Sequence, residues 1–162
     1  EHGTYAEDHH APLVNGNAEA AVAFYTSVFP DLKVTNIARW GEGGPGPQGT
    51  VLNIAFEMAG QSFLALNGGP QYPFTPAISL FVTCESQADV DDLWTKFLDG
   101  GGRPNACGWL DDRYGLSWQI VPAALIELMS DGDPKASGRV ARALMGMQKI
   151  DIAGLRRAHQ AA

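Results

Sequence analysis

The side chains that could do chemistry in this chain are few and scattered. His2, His9 and His10 stand near the start beside Glu7 and Asp8. Imidazoles and carboxylates in that company could hold a metal loosely, but adjacent histidines in a polar terminal segment are weak evidence for one, and the segment reads first as an irregular arm. Cys84 and Cys107 are far apart. Each reads as a small buried hydrophobe or as a reactive thiol, and a structural disulfide between them is not needed. Asp112, Glu57 and Cys107 are the candidates for metal-free acid–base work, yet Asp112 reads as part of a turn and Glu57 as a solvated strand-end residue, neither with a partner visible in the sequence to tune it. Gln119 is a different kind of candidate. Its amide is neutral and must find hydrogen-bond partners if buried, either in a core or toward a ligand.

Gln119 lies in the most structured stretch of the sequence, residues 106–122. Apolar residues flank the polar run Asp111-Asp112-Arg113-Tyr114-Gly115, whose glycine can take positive φ. The spacing predicts a β-hairpin. In its second strand Trp118, Ile120 and Pro122 alternate with Ser117, Gln119 and Val121, so Ser117 and Gln119 share a face. That hairpin reads either as a tryptophan-rich core element or as the wall of a pocket with Gln119 as its polar anchor.

The remaining elements follow from periodicity and turn chemistry. A short apolar run at Pro12-Leu13-Val14 precedes Asn15-Gly16-Asn17, where Asn17 can cap a helix over residues 18–29 that Pro30 ends. Strands are expected at 32–40, 50–58 and 62–66. Between the first two, residues 41–49 hold five glycines and two prolines and read as a mobile loop. No Lys-Ser/Thr pair and no helix follows those glycines, which excludes a P-loop. A strand over 77–84 comes next. The helix over 88–98 has Ser86 and Asp89 placed as a capping box, and Gly100-Gly101-Gly102 stops it. Strands at 103–110 and 116–122, with room for a brief strand between them, complete the second half, and helices at 123–130, 134–147 and 150–159 close the chain. The order strand, helix, three strands thus occurs twice. Modules of that size are too small to bury a sheet alone and would share a core. The expected organisation is an irregular arm over 1–11, a first module over 12–70, a second over 77–122 and C-terminal helices over 123–162, as one α+β domain overall.

At 162 residues, with 45% hydrophobic and 18% charged side chains, the chain is long enough for a core without metal or disulfide. A net charge of −7 disfavours nucleic acid and anionic membrane, which need clustered Lys and Arg. No apolar run reaches transmembrane length and the N-terminus lacks a signal-peptide layout. With two widely spaced cysteines, these features predict a cytoplasmic protein.

The repeat and its motifs resemble the vicinal-oxygen-chelate (glyoxalase/bleomycin-resistance) superfamily. They are most similar to its PhnB-like branch, which carries the label 3-demethylubiquinone-9 3-methyltransferase. The residues concerned are Asn15-Gly16-Asn17-Ala18-Glu19-Ala20-Ala21 with Phe24-Tyr25 and Phe29-Pro30, then Leu66-Asn67-Gly68-Gly69-Pro70 and Ala106-Cys107-Gly108-Trp109 with Asp112. Tyr114-Gly115, Ser117-Trp118-Gln119-Ile120-Val121-Pro122, Ala143-Leu144-Met145 and Lys149-Ile150-Asp151-Ile152 complete the set, which spans about residues 15–156. The resemblance implies paired βαβββ modules in a curved mixed sheet around a pocket, in a homodimer. It also implies four metal-ligand positions, one on each of four strands, where His and Glu are usual. Here they fall on His10, Asn67, Ile78 or Ser79, and Gln119. Only His10 is a plausible ligand, and neutral amides and hydroxyls hold a hard divalent ion poorly, so no cofactor or tightly bound metal is expected.

A Rossmann-type methyltransferase needs a glycine-rich turn between an early strand and helix and an acidic residue for the ribose. Both are missing, so methyl transfer from S-adenosylmethionine is not expected. The favoured reading is a module that binds a small organic molecule in a pocket lined by Trp40, Asn53, Phe63, Asn67, Trp109, Trp118 and Gln119. The alternatives are a metal-dependent enzyme of lyase, isomerase or dioxygenase type, and an assembly role through the C-terminal helices. Whether a reaction is catalysed stays open at this level.

Overall fold

The computed structural model describes residues 13–14 and 16–161. The chain divides between Pro73 and Phe74 into two units. The first begins with β1 (Leu13–Val14), α1 (Ala18–Val28), β2 (Lys33–Arg39), β3 (Val51–Met58) and β4 (Gln61–Asn67). Antiparallel hairpins join β2 to β3 and β3 to β4, and β1 returns to pair parallel with β4, in the order β1-β4-β3-β2. Register decides which face is dry. Ile54 faces Ala65 and Phe56 faces Phe63 across β3 and β4, and Ile54, Phe56, Met58, Phe63 and Ala65 are all buried. Ala18, Ala21, Val22, Tyr25 and Val28 form the buried stripe of α1, at the spacing one helix face requires. The Phe56 and Phe63 rings stack with centroids 5.3 Å apart. The opposite face of the sheet carries Asn53, Ala55, Glu57, Ser62, Leu64 and Leu66.

The second unit repeats this order with β5 (Ser79–Cys84), α2 (Gln87–Asp99), β6 (Arg103–Pro104), β7 (Trp109–Asp111) and β8 (Ser117–Pro122). The sheet order is β5-β8-β7-β6, again with the first strand parallel to the last and the others antiparallel. The same non-sequential order in both halves is the duplicated topology expected from the sequence. Ser86 and Asp89 form the expected capping box, each side chain taking the other's backbone N–H. Val90, Trp94 and Phe97 bury one side of α2, and the Phe97 ring meets Trp118 at 4.9 Å between centroids.

Two local expectations are corrected. Asn17 occupies the N-cap position of α1, but its side chain makes no capping bond. The Ala18 N–H donates instead to Asn67 Oδ1 at 3.0 Å, from a residue 49 positions away. The parallel pairing of β1 with β4 brings Asn67 to that helix end. The strand expected over 103–110 is broken into β6 and β7, because Cys107 and Gly108 both take positive φ and turn the chain between them.

Three helices follow: α3 (Ala123–Met129), α4 (Pro134–Met145) and α5 (Ile152–Gln160). Asp133 caps α4 with Pro134 in its first turn, and Asp151 caps α5. Leu125, Val140, Ile150 and Leu155 gather with Val121 of β8 into one apolar cluster. No helix among the described residues is long and apolar enough to cross a membrane.

Candidate functional site

The hairpin around Gln119 is built by a buried carboxylate. Asp112, 3% exposed, accepts the backbone N–H groups of Tyr114 and Leu116 through Oδ1, at 2.8 and 3.1 Å. Its Oδ2 accepts the indole N–H of Trp118 at 2.9 Å. Gly115, at φ +90°, reverses the chain as the sequence requires. Asp112 is therefore committed to the turn that aims β8.

β8 then has two faces. Trp118 and Ile120 are wholly buried on the α2 side. Gln119 is on the other face, only partly buried, with Trp109 of β7 on one side and Phe81 of β5 on the other. Its amide Nε2 donates to the Ser79 hydroxyl at 2.8 Å. Phe81 is 52% exposed. Ser117, on the same face, is buried and donates to Asp111 Oδ1 at 2.7 Å. The second unit thus presents a neutral amide–hydroxyl pair between two aromatic rings.

Of the seven residues expected to line a pocket, Trp109 and Gln119 are register neighbours on this face, whereas Trp118 is on the other. In the first unit Asn53 lies on the face away from α1, and Phe63 lies under α1, stacked on Phe56. Asn67 uses both ends of its amide within its own unit, with Oδ1 taking Ala18 N–H and Nδ2 donating to the Val51 carbonyl at 2.9 Å. Trp40 is half-buried under the glycine-rich loop. A Cβ on Gly46 would stand 2.3 Å from its indole, so only glycine lets the loop lie so close. Gly49 N–H donates to the Trp40 carbonyl and Arg39 to the Gly49 carbonyl, closing the loop. Glu57 is exposed and Cys107 partly buried. Phe81 was not singled out by sequence, although the alternation of Ser79, Phe81 and Thr83 carries that signal.

The metal positions implied by the resemblance can be tested on their donors. His10 lies outside the described residues. Asn67 Oδ1 takes the Ala18 N–H, Ile78 has no donor atom, and Ser79 and Gln119 offer only a neutral hydroxyl and a neutral amide oxygen. Amide and hydroxyl oxygens without a carboxylate do not fit a tightly held divalent ion. Among the described residues no three His, Cys, Asp or Glu side chains gather to hold one.

Comparison with known proteins agrees with this geometry. The family described as 3-demethylubiquinone-9 3-methyltransferase matches residues 11–121. The PhnB protein of Bacillus cereus is 35% identical over 73% of this chain and 100% of its own, with a TM-score of 0.65. Protein PA1353 of Pseudomonas aeruginosa shares the fold at 17% identity over 73% of this chain and 98% of its own, with a TM-score of 0.58. So does the fosfomycin resistance protein FosX of Listeria monocytogenes, solved with Mn(II) and sulfate. It shows 12% identity over 79% of this chain and 98% of its own, with a TM-score of 0.57. No curated protein matches the chain.

Proposed function

The chain belongs to the 3-demethylubiquinone-9 3-methyltransferase family, the PhnB-like branch of the vicinal-oxygen-chelate superfamily, and on that footing we propose that it binds a small organic molecule against the Gln119 face of its second sheet, without a catalytic metal. The observation that carries the reading is the Gln119–Ser79 hydrogen bond of 2.8 Å set between Trp109 and Phe81. An amide and a hydroxyl offer donors and acceptors without charge, and the flanking rings offer apolar contact. Sites for small molecules are mostly apolar with a few such anchors. The ligand is accordingly a neutral or weakly polar molecule with an apolar or aromatic portion. Methyl transfer from S-adenosylmethionine is not part of the reading. Both sheets are mixed, with only the first and last strand of each parallel, which is not the doubly wound parallel sheet that binds such cofactors.

Two finer points go with this reading. The protein works in the cytoplasm, and it works as a homodimer. Exposed Ile126 and Met129 on α3 support the second point, since a partner copy would bury them. Light scattering of the purified protein at micromolar concentration tests it.

The test of function is a thermal-shift screen of small aromatic and aliphatic compounds in the presence of EDTA. A hit raises the melting temperature. Gln119→Ala abolishes that rise while keeping the melting temperature of the free protein within a few degrees. A metal-dependent lyase, isomerase or dioxygenase is the alternative. Elemental analysis finding one divalent ion per chain, with hits that vanish in EDTA, would establish it and overturn the metal-free reading.

A further inference from the structure

The bend that launches β7 holds two left-handed residues in succession. Gly108 has φ +82°, and Cys107, which carries a side chain, has φ +60°. A side chain in that region persists only where its surroundings over-determine it. Here the end of α4 and the chain after it supply them. The Cys107 N–H donates to the Met147 carbonyl and the Gly108 N–H to the Gln148 carbonyl, each at 2.7 Å. The Cys107 thiol donates to the Leu144 carbonyl at 3.6 Å. Ile150, wholly buried, closes over Gly108, where a Cβ would stand 2.7 Å from Ile150 Cδ1 and 2.9 Å from the Ile120 carbonyl oxygen.

The Gln87 side chain binds this tail to α2 at both ends of its amide. Gln87 Nε2 donates to the Ile150 carbonyl at 3.0 Å, and Gln87 Oε1 accepts the Ile152 N–H at 2.9 Å. The same Nε2 also donates to Asp91 Oδ1 at 3.1 Å, and that carboxylate pairs with Lys149 Nζ at 2.6 Å. Both ends of the Gln87 amide are thus engaged across more than sixty residues of sequence.

We propose that residues 147–152 are a strap, latched by Gln87, that holds the strained bend and thereby sets Trp109 beside Gln119. Gln87 is a positioning residue for the binding face, and in that respect the inference rests on the reading given above. The coupling runs through backbone. The strap fixes Cys107 and Gly108, Gly108 accepts the Ile120 N–H at 2.8 Å, and Trp109 is the next residue.

The experiment uses the full chain and no ligand, so its failure leaves the binding reading standing. 5-Fluorotryptophan labelling yields one 19F signal for each of Trp40, Trp94, Trp109 and Trp118, assigned by single Trp→Phe variants. Gln87→Ala shifts or splits the Trp109 signal by more than its line width and leaves the Trp118 signal in place. Cys107→Gly alone leaves the Trp109 signal where it was, because glycine takes positive φ freely. Combined with Gln87→Ala, it returns the Trp109 signal toward its original position. A merely structural role for Gln87 would not be undone by a change at residue 107. Lys149→Ala removes only an exposed ion pair, and it moves the Trp109 signal in the same direction by less, so it carries the test if Gln87→Ala does not fold. A Trp109 signal unmoved in the folded variants, or a double variant that keeps the full Gln87→Ala shift, overturns the proposal.

Discussion

The Trp118 indole donates its N–H to Asp112 Oδ2 at 2.9 Å, and both side chains are almost completely buried. One carboxylate thus ties the turn of the β7–β8 hairpin to a fully buried tryptophan of the second unit's core. A buried polar group is tolerable there because the N–H groups of Tyr114, Leu116 and Trp118 converge on it.

Removing that carboxylate leaves an indole N–H and two backbone N–H groups without their acceptor. Asp112→Ala is expected to cost about 3 kcal/mol of unfolding free energy. Asp112→Asn, which keeps an oxygen for part of the set, costs less. Urea denaturation checks the order. Equal losses for the two variants would mean that volume, not hydrogen bonding, matters at this position.

Asn67 of β4, rather than the expected Asn17, takes the N–H at the start of α1, and mutation should show it. Asn67→Ala removes the acceptor of Ala18 N–H and the donor to the Val51 carbonyl, a loss of about 1–2 kcal/mol. Asn17→Ala removes a side chain without a capping bond, whose buried Oδ1 has no hydrogen-bond partner, and should change stability by no more than about 0.5 kcal/mol. The reverse ranking in chemical denaturation would restore Asn17 as the cap.

The cysteines should separate by pH and by reactivity. Burial first, then the carboxylates of Asp89 and Glu85, push the Cys84 thiol from the usual value of 9.0 up to about 11. The folded protein therefore holds that proton more tightly than the unfolded chain. The associated stability is complete below pH 9 and is lost as the pH climbs toward about 11. Denaturation midpoints measured across that window should fall, and fall less for Cys84→Ala. At pH 8 iodoacetamide should label partly buried Cys107 first, with Cys84 labelled only as the chain unfolds. Equal labelling rates, followed by mass spectrometry, would contradict the burial of Cys84.

Acid should loosen the strap by a separate route. Hydrogen bonds from Lys149 and then Gln87 hold the Asp91 carboxyl below the usual carboxylate range. For a depressed carboxyl, the stabilisation is present above the unfolded value near 4 and disappears as the pH falls through the lower folded value. The protection of the amides of residues 147–152, taken relative to their intrinsic exchange rates, should therefore fall below about pH 4, ahead of protection in β8. Simultaneous exchange of both segments would show that the strap has no independent opening.

What sequence alone determined here is what depends on near neighbours. The periodicity of Ala21, Val22, Phe24, Tyr25 and Val28 specifies α1, Ser86 and Asp89 specify the start of α2, and Asp111 to Gly115 specify a turn, because helix faces, caps and turns are made within a few residues. The repeated element order, and with it the family, was legible for the same reason. Tertiary structure decided what depends on register. Strict alternation puts Trp118 and Gln119 on opposite faces of β8 but cannot say which face α2 covers, and it cannot say that Phe63 falls on the covered face of β4 while Asn53 falls on the open face of β3. It decided, too, that Asn67 rather than Asn17 caps α1 and that Gln87 reaches the strap, since hydrogen bonds between residues 49 and 63 positions apart exist only once strands and helices are paired in space.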